Sequence, residues 1–511
     1  MATMEEAKRE TPVSADVDSA SGGASMEVGT QQQLFIDDRF VESPDGVKLC
    51  MNVPVQHPEP VLTADSPWEP LGVAGYNTVL LEPDGRFRLW YDAMMKHGLP
   101  QEGAIRLCYA ESDDGLKWRK PSLGFVTFQG SKDNNIVAPL QERQSMQGAT
   151  VYRDERAPEA ERYKLWSKFR PTDEQMAAGV RPGLWAMHSP DGVRWSEYPG
   201  QPNPPDQKCD TQNMFFWDDS VGQYVGYTRV WETQMADEAA EAGRKGRYRS
   251  VGRITSPDFR TWSQTEIVFE ADDKDLTIPV PEQRDDPSPN IDFYTNCAMK
   301  YPYAQDVYLM FPSAFYHWGE NDYPATMDVQ LLTSRNGVSW RRAGERGPFL
   351  RRGPDGSPSG SMVFANPWLV PVKDELWLYY TGMGRPHSET PRGPEQSGIY
   401  RASMRRDGFV SIDAGYGGGG FRTPVIRFEG NCLQLNVDGS AGGWLKVELQ
   451  DADGSPVAGL GLNDADAVTG NSLRRTVSWK GRTDLAAVAG RPVRLRFVMR
   501  DIKLYAFRFR S

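Results

Sequence analysis

The sequence predicts an all-β fold, a five-bladed β-propeller followed by a C-terminal β-sandwich. A short alternating strand, a Ser and a turn containing Asp or Asn recur five times along the chain. Each copy follows an apolar strand, a turn and a strand that ends in aromatic residues. Helical periodicity is nearly absent outside residues 232–247, which predict a short helix or a polar insert. Four antiparallel strands repeated radially close into a ring that protects sheet edges, whereas stacked solenoids have shorter repeats.

Composition divides the chain into four parts. Residues 1–30 are polar and rich in small residues, so we expect a disordered tail. The repeats occupy 31–414, and the stretch LFIDDRFVE at 34–42 is a candidate for the strand that closes the ring against the last blade. A glycine-rich linker, 415–420, precedes alternating segments over 421–511, which favour an antiparallel sandwich.

Each repeat predicts four antiparallel strands, labelled A to D from the axis outwards. The segments that give strands A and B are 76–93, 149–169, 212–231, 295–317 and 365–382. The segments that give strand C and the turn into strand D are 107–118, 184–195, 251–262, 329–340 and 399–410. Because Asp-Gly and Asn-Gly turns suit the twist of antiparallel hairpins, we interpret the conspicuous Asp residues of these turns as structural.

Composition also narrows the function classes. The 511 residues carry a net charge of −11, which argues against nucleic acid or an anionic membrane as the main partner. The five cysteines are scattered without a Cys-x-x-Cys pair, so neither a disulfide framework nor a zinc knuckle is expected. No apolar run of about 18 residues occurs and the N-terminus lacks an apolar signal core, which favours a cytoplasmic location. The oligomeric state stays open.

Propeller geometry sorts the polar residues between two rims. Strand A starts and strand B ends at one rim, called the top, whereas the A–B and C–D turns lie at the bottom with Arg153 and Asp154. The polar run at 210–213 leads directly into the apolar run 214–217, so we expect its side chains to face a wet depression at the axis. The substrate-binding candidates at the top rim are Asn77, Asp92, His97, Gln147, Gln212, Asn213, Arg229, Trp231, Tyr294, His317, Trp318, Arg385 and His387.

Two carboxylates at this rim suit the cleavage of a glycosidic bond. Asp210 and Asp292 start strand A in neighbouring repeats, so that one could protonate the leaving oxygen while the other attacks or activates water. Glu69, in the stretch DSPWEP before the first repeat, is a third acid candidate. A separation of about 5–5.5 Å implies retention and one of roughly 6.5–9.5 Å implies inversion, and the sequence leaves this choice open.

The five repeats and the C-terminal sandwich resemble the invertase- and levanase-type fructofuranosidases and their propeller relatives, the arabinofuranosidases and xylosidases. The stretch IDFYTN at 291–296 is similar to an Asp-Phe-Tyr stretch in the fourth blade of those fructosidases, and Asp210 falls where their third blade carries the proton donor. The resemblance therefore implies a glycoside hydrolase with Asp210 as the acid. The first two blades depart from the pattern, with AGYNTV at 74–79 and QGATVY at 147–152 in place of acid-containing motifs. The chain thus resembles a divergent member.

Three functions remain open on the sequence alone. The first is a glycoside hydrolase that acts on a small carbohydrate through Asp210 and Asp292, without a cofactor. The second is a propeller that binds carbohydrate without cleaving it. The third is a metal-dependent sugar enzyme in which His97, His317 and His387 converge on one divalent ion with a carboxylate.

Overall fold

The protein is almost entirely β-structure in the computed structural model. The structure describes residues 25–95, 104–139, 144–204, 209–231, 249–276, 291–316, 326–387, 389 and 391–511. The short helical segments are the α-helices Asp173–Ala177 and Asp273–Leu276 and the 3-10 segments Asp38–Phe40, Glu159–Glu161, Gly344–Arg346 and Pro394–Gln396. Within these ranges, no helix has the length and hydrophobicity to cross a membrane. The predicted helix or insert at 232–247 lies outside the described residues.

Five short strands precede the first repeat, and most of them pair with the far end of the chain. They are β1 (Met26–Gly29), β2 (Gln33–Leu34), β3 (Glu42–Asp45), β4 (Val47–Met51) and β5 (Val55–Gln56). The first four join one sheet with strands that follow residue 409. The predicted ring-closing stretch 34–42 instead overlaps β2, which pairs with residues 506 and 507, whereas β5 pairs with residues 402 and 403. Strand β1 also falls within the predicted disordered tail, whose first 24 residues lie outside the described part.

The first three repeats each form a four-stranded antiparallel sheet in sequence order. Their strands are β6 (Val73–Leu81), β7 (Phe87–Met94), β8 (Ile105–Ser112), β9 (Ile136–Ala138), β10 (Ser145–Arg153), β11 (Tyr163–Arg170), β12 (Gly183–Ser189), β13 (Ser196–Glu197), β14 (Met214–Asp218), β15 (Gln223–Val230), β16 (Ser250–Ser256) and β17 (Glu266–Phe269). The first strands of neighbouring sheets contact one another, so β6, β10 and β14 lie around a common axis. Alternating apolar residues on these strands pack between the sheets.

Strands of the fourth and fifth repeats join in one sheet. Their strands are β18 (Ile291–Phe293), β19 (Ala298–Lys300), β20 (Tyr308–Met310), β21 (Ser313–Tyr316), β22 (Thr326–Val329), β23 (Leu332–Ser334), β24 (Arg341–Arg342), β25 (Met362–Ala365), β26 (Val370–Val372), β27 (Glu375–Met383) and β28 (Ser397–Arg405). Strands β19, β20, β23 and β24 form a fourth four-stranded sheet. The others form an eight-stranded sheet with β5, in which a parallel bridge between Met327 and Met362 joins the two repeats.

The C-terminal strands form an eleven-stranded sheet together with β1 to β4. They are β29 (Val410–Ala414), β30 (Gly419–Arg422), β31 (Ile426–Phe428), β32 (Cys432–Asp451), β33 (Val468–Thr469), β34 (Asn471–Thr476) and β35 (Val493–Arg510). Strands β32 and β35 pair antiparallel from Cys432 with Arg510 to Asp451 with Val493. Their core contains edge-to-face and stacked phenylalanines, among them Phe35, which comes from the N-terminal segment.

The structure therefore confirms an all-β propeller arrangement with four four-stranded sheets and little helix. A fifth blade stays a prediction, because its strands β25, β27 and β28 belong to the eight-stranded sheet. A separate C-terminal sandwich and the division at 415–420 also stay predictions, and residues 419 and 420 of that linker lie in β30.

The Ser-x-Asp-Gly turns contact the neighbouring sheet through their glycine. In the first sheet, Gly115 has φ +72° and its carbonyl accepts a hydrogen bond from the Tyr379 hydroxyl at 2.8 Å. Trp90 and Tyr227 donate in the same way to Gly192 and Gly337, each at 2.7 Å. We call this contact the aromatic latch. It joins each turn to a strand of the adjacent sheet.

The third turn departs from the aromatic latch. Phe259, with φ +64°, occupies the position of the glycine. Trp166 stacks on its ring at 5.7 Å, and the buried Trp166 Nε1 has no hydrogen-bond partner among the described residues. An apolar stack thus replaces the hydrogen bond at this turn.

Candidate active site

Five charged side chains from the second, third and fourth repeats lie together at the predicted top rim. This charged cluster consists of Lys168, Asp210, Arg229, Arg249 and Asp292. Because strands that alternate in direction bring their ends to one rim, positions that are far apart in the sequence meet there. The structure places both predicted acids, Asp210 and Asp292, in this cluster.

Asp210 is held by a buried arginine and still reaches solvent. It precedes β14, and the Nη1 group of Arg229, near the end of β15, donates a hydrogen bond to its Oδ1. Nη2 of Arg229 donates to the carbonyl of Tyr294 at 2.6 Å, which fixes the guanidinium on its other side. The side chain of Arg229 is 1% exposed, whereas that of Asp210 is 40% exposed. The pair therefore presents one carboxylate to a ligand.

The surroundings of Asp210 favour its ionised form. Burial alone raises the pKa of this carboxyl, but the positive charges of Arg229, Lys168 and Arg249 outweigh burial. The pKa of Asp210 is therefore lowered from its ordinary value of 3.8. At neutral pH, Asp210 is a carboxylate and can act as a base or nucleophile.

Asp292 differs from Asp210 because its carboxylate is fully enclosed. It lies on β18, its side chain is 0% exposed, and both its oxygens accept hydrogen bonds from Arg249 Nη1, at 2.9 and 3.3 Å. The backbone N–H of Arg249 also donates to Oδ2 at 3.0 Å. The bifurcated side-chain bond and the backbone bond together fix this buried pair, so Asp292 positions Arg249.

Aromatic rings connect the two ion pairs. The guanidinium carbons of Arg229 and Arg249 lie 4.2 and 4.9 Å from the ring centre of Tyr294 and 5.3 and 4.8 Å from that of Trp231. The Tyr294 hydroxyl lies 2.9 Å from His387 Nε2, within hydrogen-bond distance. The predicted residues Arg229, Trp231, Tyr294 and His387 thus come together around the two acids.

Lys168 is the third cation of the charged cluster. It lies near the end of β11 and is half-buried. Within the part of the chain that the structure describes, its ammonium has neither a hydrogen bond nor an ion pair. Burial and Arg229 lower the pKa of Lys168, and Asp210 opposes them in part. Lys168 follows the rule that second strands end at this rim, but nothing in the sequence distinguishes this lysine from others.

Sequence reasoning missed Arg249 as well. It considered the starts of the first strands and the ends of the second strands. Arg249 directly precedes β16, the third strand of its sheet, which starts at the same rim. That topological rule was the signal that could have found it.

Three predicted amide side chains serve the fold. Gln212 Nε2 donates to the carbonyls of Asn77 at 3.1 Å and of Ala149 at 2.8 Å. Asn77 Nδ2 donates to Thr381 Oγ1 at 2.7 Å, and Asn213 Nδ2 donates to a carbonyl of its own loop. All three are buried. Gln212 and Asn77 thus connect strands of different sheets, whereas Asn213 bonds within its own repeat.

Asp92 and Gln147 lie between the first and second sheets. Both are buried. Asp92 Oδ2 accepts a hydrogen bond from the Gly148 N–H at 2.7 Å, and within the described ranges its Oδ1 has no partner. Burial raises the pKa of Asp92 well above its ordinary value, which favours the neutral acid.

Glu69 lies among the outer strands of the first sheet. Its Oε1 accepts a hydrogen bond from the Tyr91 hydroxyl at 2.5 Å, and its Oε2 accepts from Lys120 at 2.7 Å and from two loop N–H groups. The side chain is 0% exposed. With both oxygens bonded inside the protein, Glu69 is positioned as a structural carboxylate.

The histidine hypothesis rests mostly outside the described residues. His97, His317 and Trp318 all lie there, so His387 alone of the three predicted metal ligands has a place in the structure. The neighbouring Arg385 is buried, donates to the carbonyl of Glu389 at 2.8 Å, and has a pKa lowered by burial. Among the residues described, no group of three or more His, Cys, Asp or Glu side chains is placed to hold a metal ion.

Comparisons with known proteins give likenesses of fold only. No family model matches the chain, and no curated protein matches it. An N-acetylgalactosamine deacetylase from F. plautii in complex with blood group B trisaccharide is 15% identical with a TM-score of 0.43, covering 71% of this chain and 96% of that one. A glycosyl hydrolase from Bacteroides ovatus is 16% identical with a TM-score of 0.40, covering 70% and 94%. A β-1,2-mannobiose phosphorylase from Listeria innocua is 14% identical with a TM-score of 0.42, covering 70% and 97%.

These three structural neighbours are a glycosyl hydrolase, a phosphorylase and a deacetylase by name. At such TM-scores we base no argument on the likeness. The function is argued from the charged cluster.

Proposed function

We propose that the chain is an enzyme that cleaves a glycosidic bond, with Asp210 as the ionised carboxylate at the reacting centre. The observation that carries this proposal is the contrast within one ion pair: Asp210 is 40% exposed while its partner Arg229 is 1% exposed. A buried cation keeps a solvent-accessible carboxyl ionised, and a carboxylate must be ionised to act as a nucleophile or base. The half-buried Trp231 supplies an apolar ring beside it, which suits a sugar.

The proposed role of Asp210 differs from the one that the resemblance implies. A proton donor needs a raised pKa near the working pH, and the pKa of Asp210 is lowered. We therefore assign it the attack on the anomeric carbon or the activation of water. Asp292 acts through Arg249, whose guanidinium it orients, and is a positioning residue.

A screen of aryl glycosides and oligosaccharides tests the proposal, with wild type compared to Asp210→Asn. We expect turnover of at least one substrate and a loss of about 10²–10⁴-fold in the variant. The matched control is Asp306→Asn, because Asp306 is 39% exposed and also pairs with an arginine, Arg39, at 3.2 Å outside the charged cluster. Equal activity in wild type and Asp210→Asn would contradict the proposal.

One observation favours a second function, carbohydrate binding without cleavage. Asp92 and Asp292, the other two predicted top-rim acids, are at most 1% exposed, so Asp210 is the one of the three that a ligand can reach. A binding protein needs no proton donor. Sugar binding by wild type that persists in Asp210→Asn, together with no turnover of any substrate by wild type, would support this function.

A further inference from the structure

We infer that Lys168 forms an anion-binding position beside Asp210, so that the sugar bound at the charged cluster carries an oxyanion group such as a carboxylate or a sulfate. This inference rests on the proposed function, because it names the substrate class of the same site. It depends on the charges of the cluster, the position of Lys168 and the rings beside it.

The charges of the cluster do not balance. Arg229 pairs with Asp210, and Arg249 pairs with Asp292, so two cations meet two carboxylates. Lys168 adds a third positive charge, so the five described side chains of the cluster carry +1, from three cations and two anions. The whole chain has a net charge of −11, so the cluster has the opposite sign to the chain. A local excess of positive charge favours an anionic ligand.

The position of Lys168 on β11 places its positive charge near the other members of the charged cluster. On β11, Lys168 points to the same side as Trp166, which packs against Phe215 of the third sheet at 4.9 Å. Asp210 lies at the start of that sheet and contributes to the electrostatic surroundings of Lys168. The ammonium therefore lies on the side of β11 that faces the third sheet, within electrostatic reach of the accessible carboxylate but without an ion pair to it, while Asp210 Oδ1 is engaged by Arg229.

Partial burial of an ammonium without a hydrogen-bond partner costs free energy, and a ligand that bonds to it can offset this cost. Its hydration is reduced, and in the described structure no acceptor replaces the lost water. Arg229 also has an unsatisfied donor, because its buried Nε has no hydrogen-bond partner among the described residues. A ligand oxyanion would form a charge-assisted hydrogen bond with Lys168, whereas a neutral hydroxyl would leave the charge uncompensated.

The neighbouring rings favour an anion that is borne by a sugar over a free inorganic ion. Trp231 is half-buried, so part of its ring is open to a ligand, whereas Tyr294 is buried beneath both arginines and stacked on Phe315 at 5.6 Å. A free phosphate or sulfate ion gains nothing from the apolar ring of Trp231, whereas a pyranose ring can cover it. We therefore assign the position to the acidic group of a uronate or a sulfated sugar.

Binding measurements without turnover test the inference. Isothermal titration at pH 7 compares D-glucuronate and D-galacturonate with D-glucose and D-galactose, and inorganic phosphate and sulfate are titrated separately. We expect wild type to bind at least one uronate about 10- to 100-fold more tightly than its neutral counterpart. In Lys168→Gln this ratio should fall to about 1, whereas Lys168→Arg, which keeps the charge, should retain most of it.

A matched lysine controls for the change itself. Lys446 is half-buried in the eleven-stranded sheet, with only a 3.5 Å hydrogen bond to the Leu462 carbonyl, and Lys446→Gln should leave the ratio unchanged. Melting temperatures of all variants show whether they are folded.

Three outcomes would overturn the inference: equal binding of acidic and neutral sugars by wild type, an unchanged ratio in Lys168→Gln, or Lys168-dependent binding of inorganic phosphate or sulfate alone. Asp210-dependent turnover of neutral glycosides without any preference for acidic ones would overturn the inference and leave the proposed function standing. Lys168-dependent uronate binding with no turnover would do the reverse.

Discussion

Replacement of Asp292 by asparagine separates a positioning role from a catalytic one. Asp292 and Arg249 have side chains that are 0% and 7% exposed, and three hydrogen bonds of 2.9–3.3 Å connect them. Asp292→Asn keeps the volume but removes the negative charge, so the buried guanidinium loses the carboxylate that accepts its hydrogen bonds. Breaking a buried pair in this way costs about 3–5 kcal/mol of the free energy of unfolding. We expect the melting temperature to fall by about 5–10 °C.

Differential scanning calorimetry measures that loss, and two further variants interpret it. Arg249→Met combined with Asp292→Asn should recover part of the stability, because no charge is then left unpaired. Asp37→Asn is the matched control, since Asp37 forms a largely buried pair with Arg335 at 2.8 Å outside the charged cluster. It should lose stability and keep the activity or binding of wild type. A wild-type melting temperature in Asp292→Asn together with a 1000-fold loss of turnover, on the order expected for a catalytic acid, would refute this reasoning.

The remaining predictions concern pH and the aromatic latch. Because the pKa of Asp210 is lowered from 3.8, turnover and the stability due to its ion pair should be full above that pH and fall only below it, in pH profiles of kcat/KM and of melting temperature; an acid limb near pH 6 would contradict this. Burial raises the pKa of Asp328 to about 7. Since the unfolded carboxyl ionises near pH 3.8, the free energy of unfolding should decrease between about pH 4 and 7. In urea titrations at pH 8, Asp328→Asn should therefore be more stable than wild type by up to about 4 kcal/mol. Identical pH dependence in both proteins would refute this prediction. Tyr379→Phe removes the hydrogen bond to Gly115 and should cost about 1 kcal/mol by the same titration, and no change would mean that the latch is energetically neutral.

Local sequence signals predicted the sheets of the first three repeats. The segment 76–93 predicted a hairpin, and the structure has β6 and β7 with a turn between them, because alternating apolar residues and a Pro-Asp-Gly turn act over a few residues. The shared sheet of the fourth and fifth repeats could not be predicted in this way. It depends on a parallel bridge between Met327 and Met362, to which no turn or periodic signal points.

The sequence predicted which rim carries the candidate site, but it did not predict the surroundings of the individual side chains. Topology placed Asp210 and Asp292 at one rim, but the sequence carries no sign that Arg249 encloses one of them and leaves the other accessible. Glu69 was a candidate because it precedes the first repeat, and its internal hydrogen bonds come from Lys120 and Tyr91, which are distant in the sequence. Burial and charge depend on such non-local partners, so their assignment needs coordinates.

Strands β1 to β4 set the order in which the chain can fold. Gln33 pairs with Phe507 and Val47 pairs with Ala414, so the earliest described strands have their partners near the other end of the chain. A nascent polypeptide that leaves the ribosome from its N-terminus must hold these strands unpaired until the final segments emerge. Completion of the eleven-stranded sheet therefore waits for the synthesis of β35, whereas the first three sheets, whose strands pair with close neighbours, can form before it.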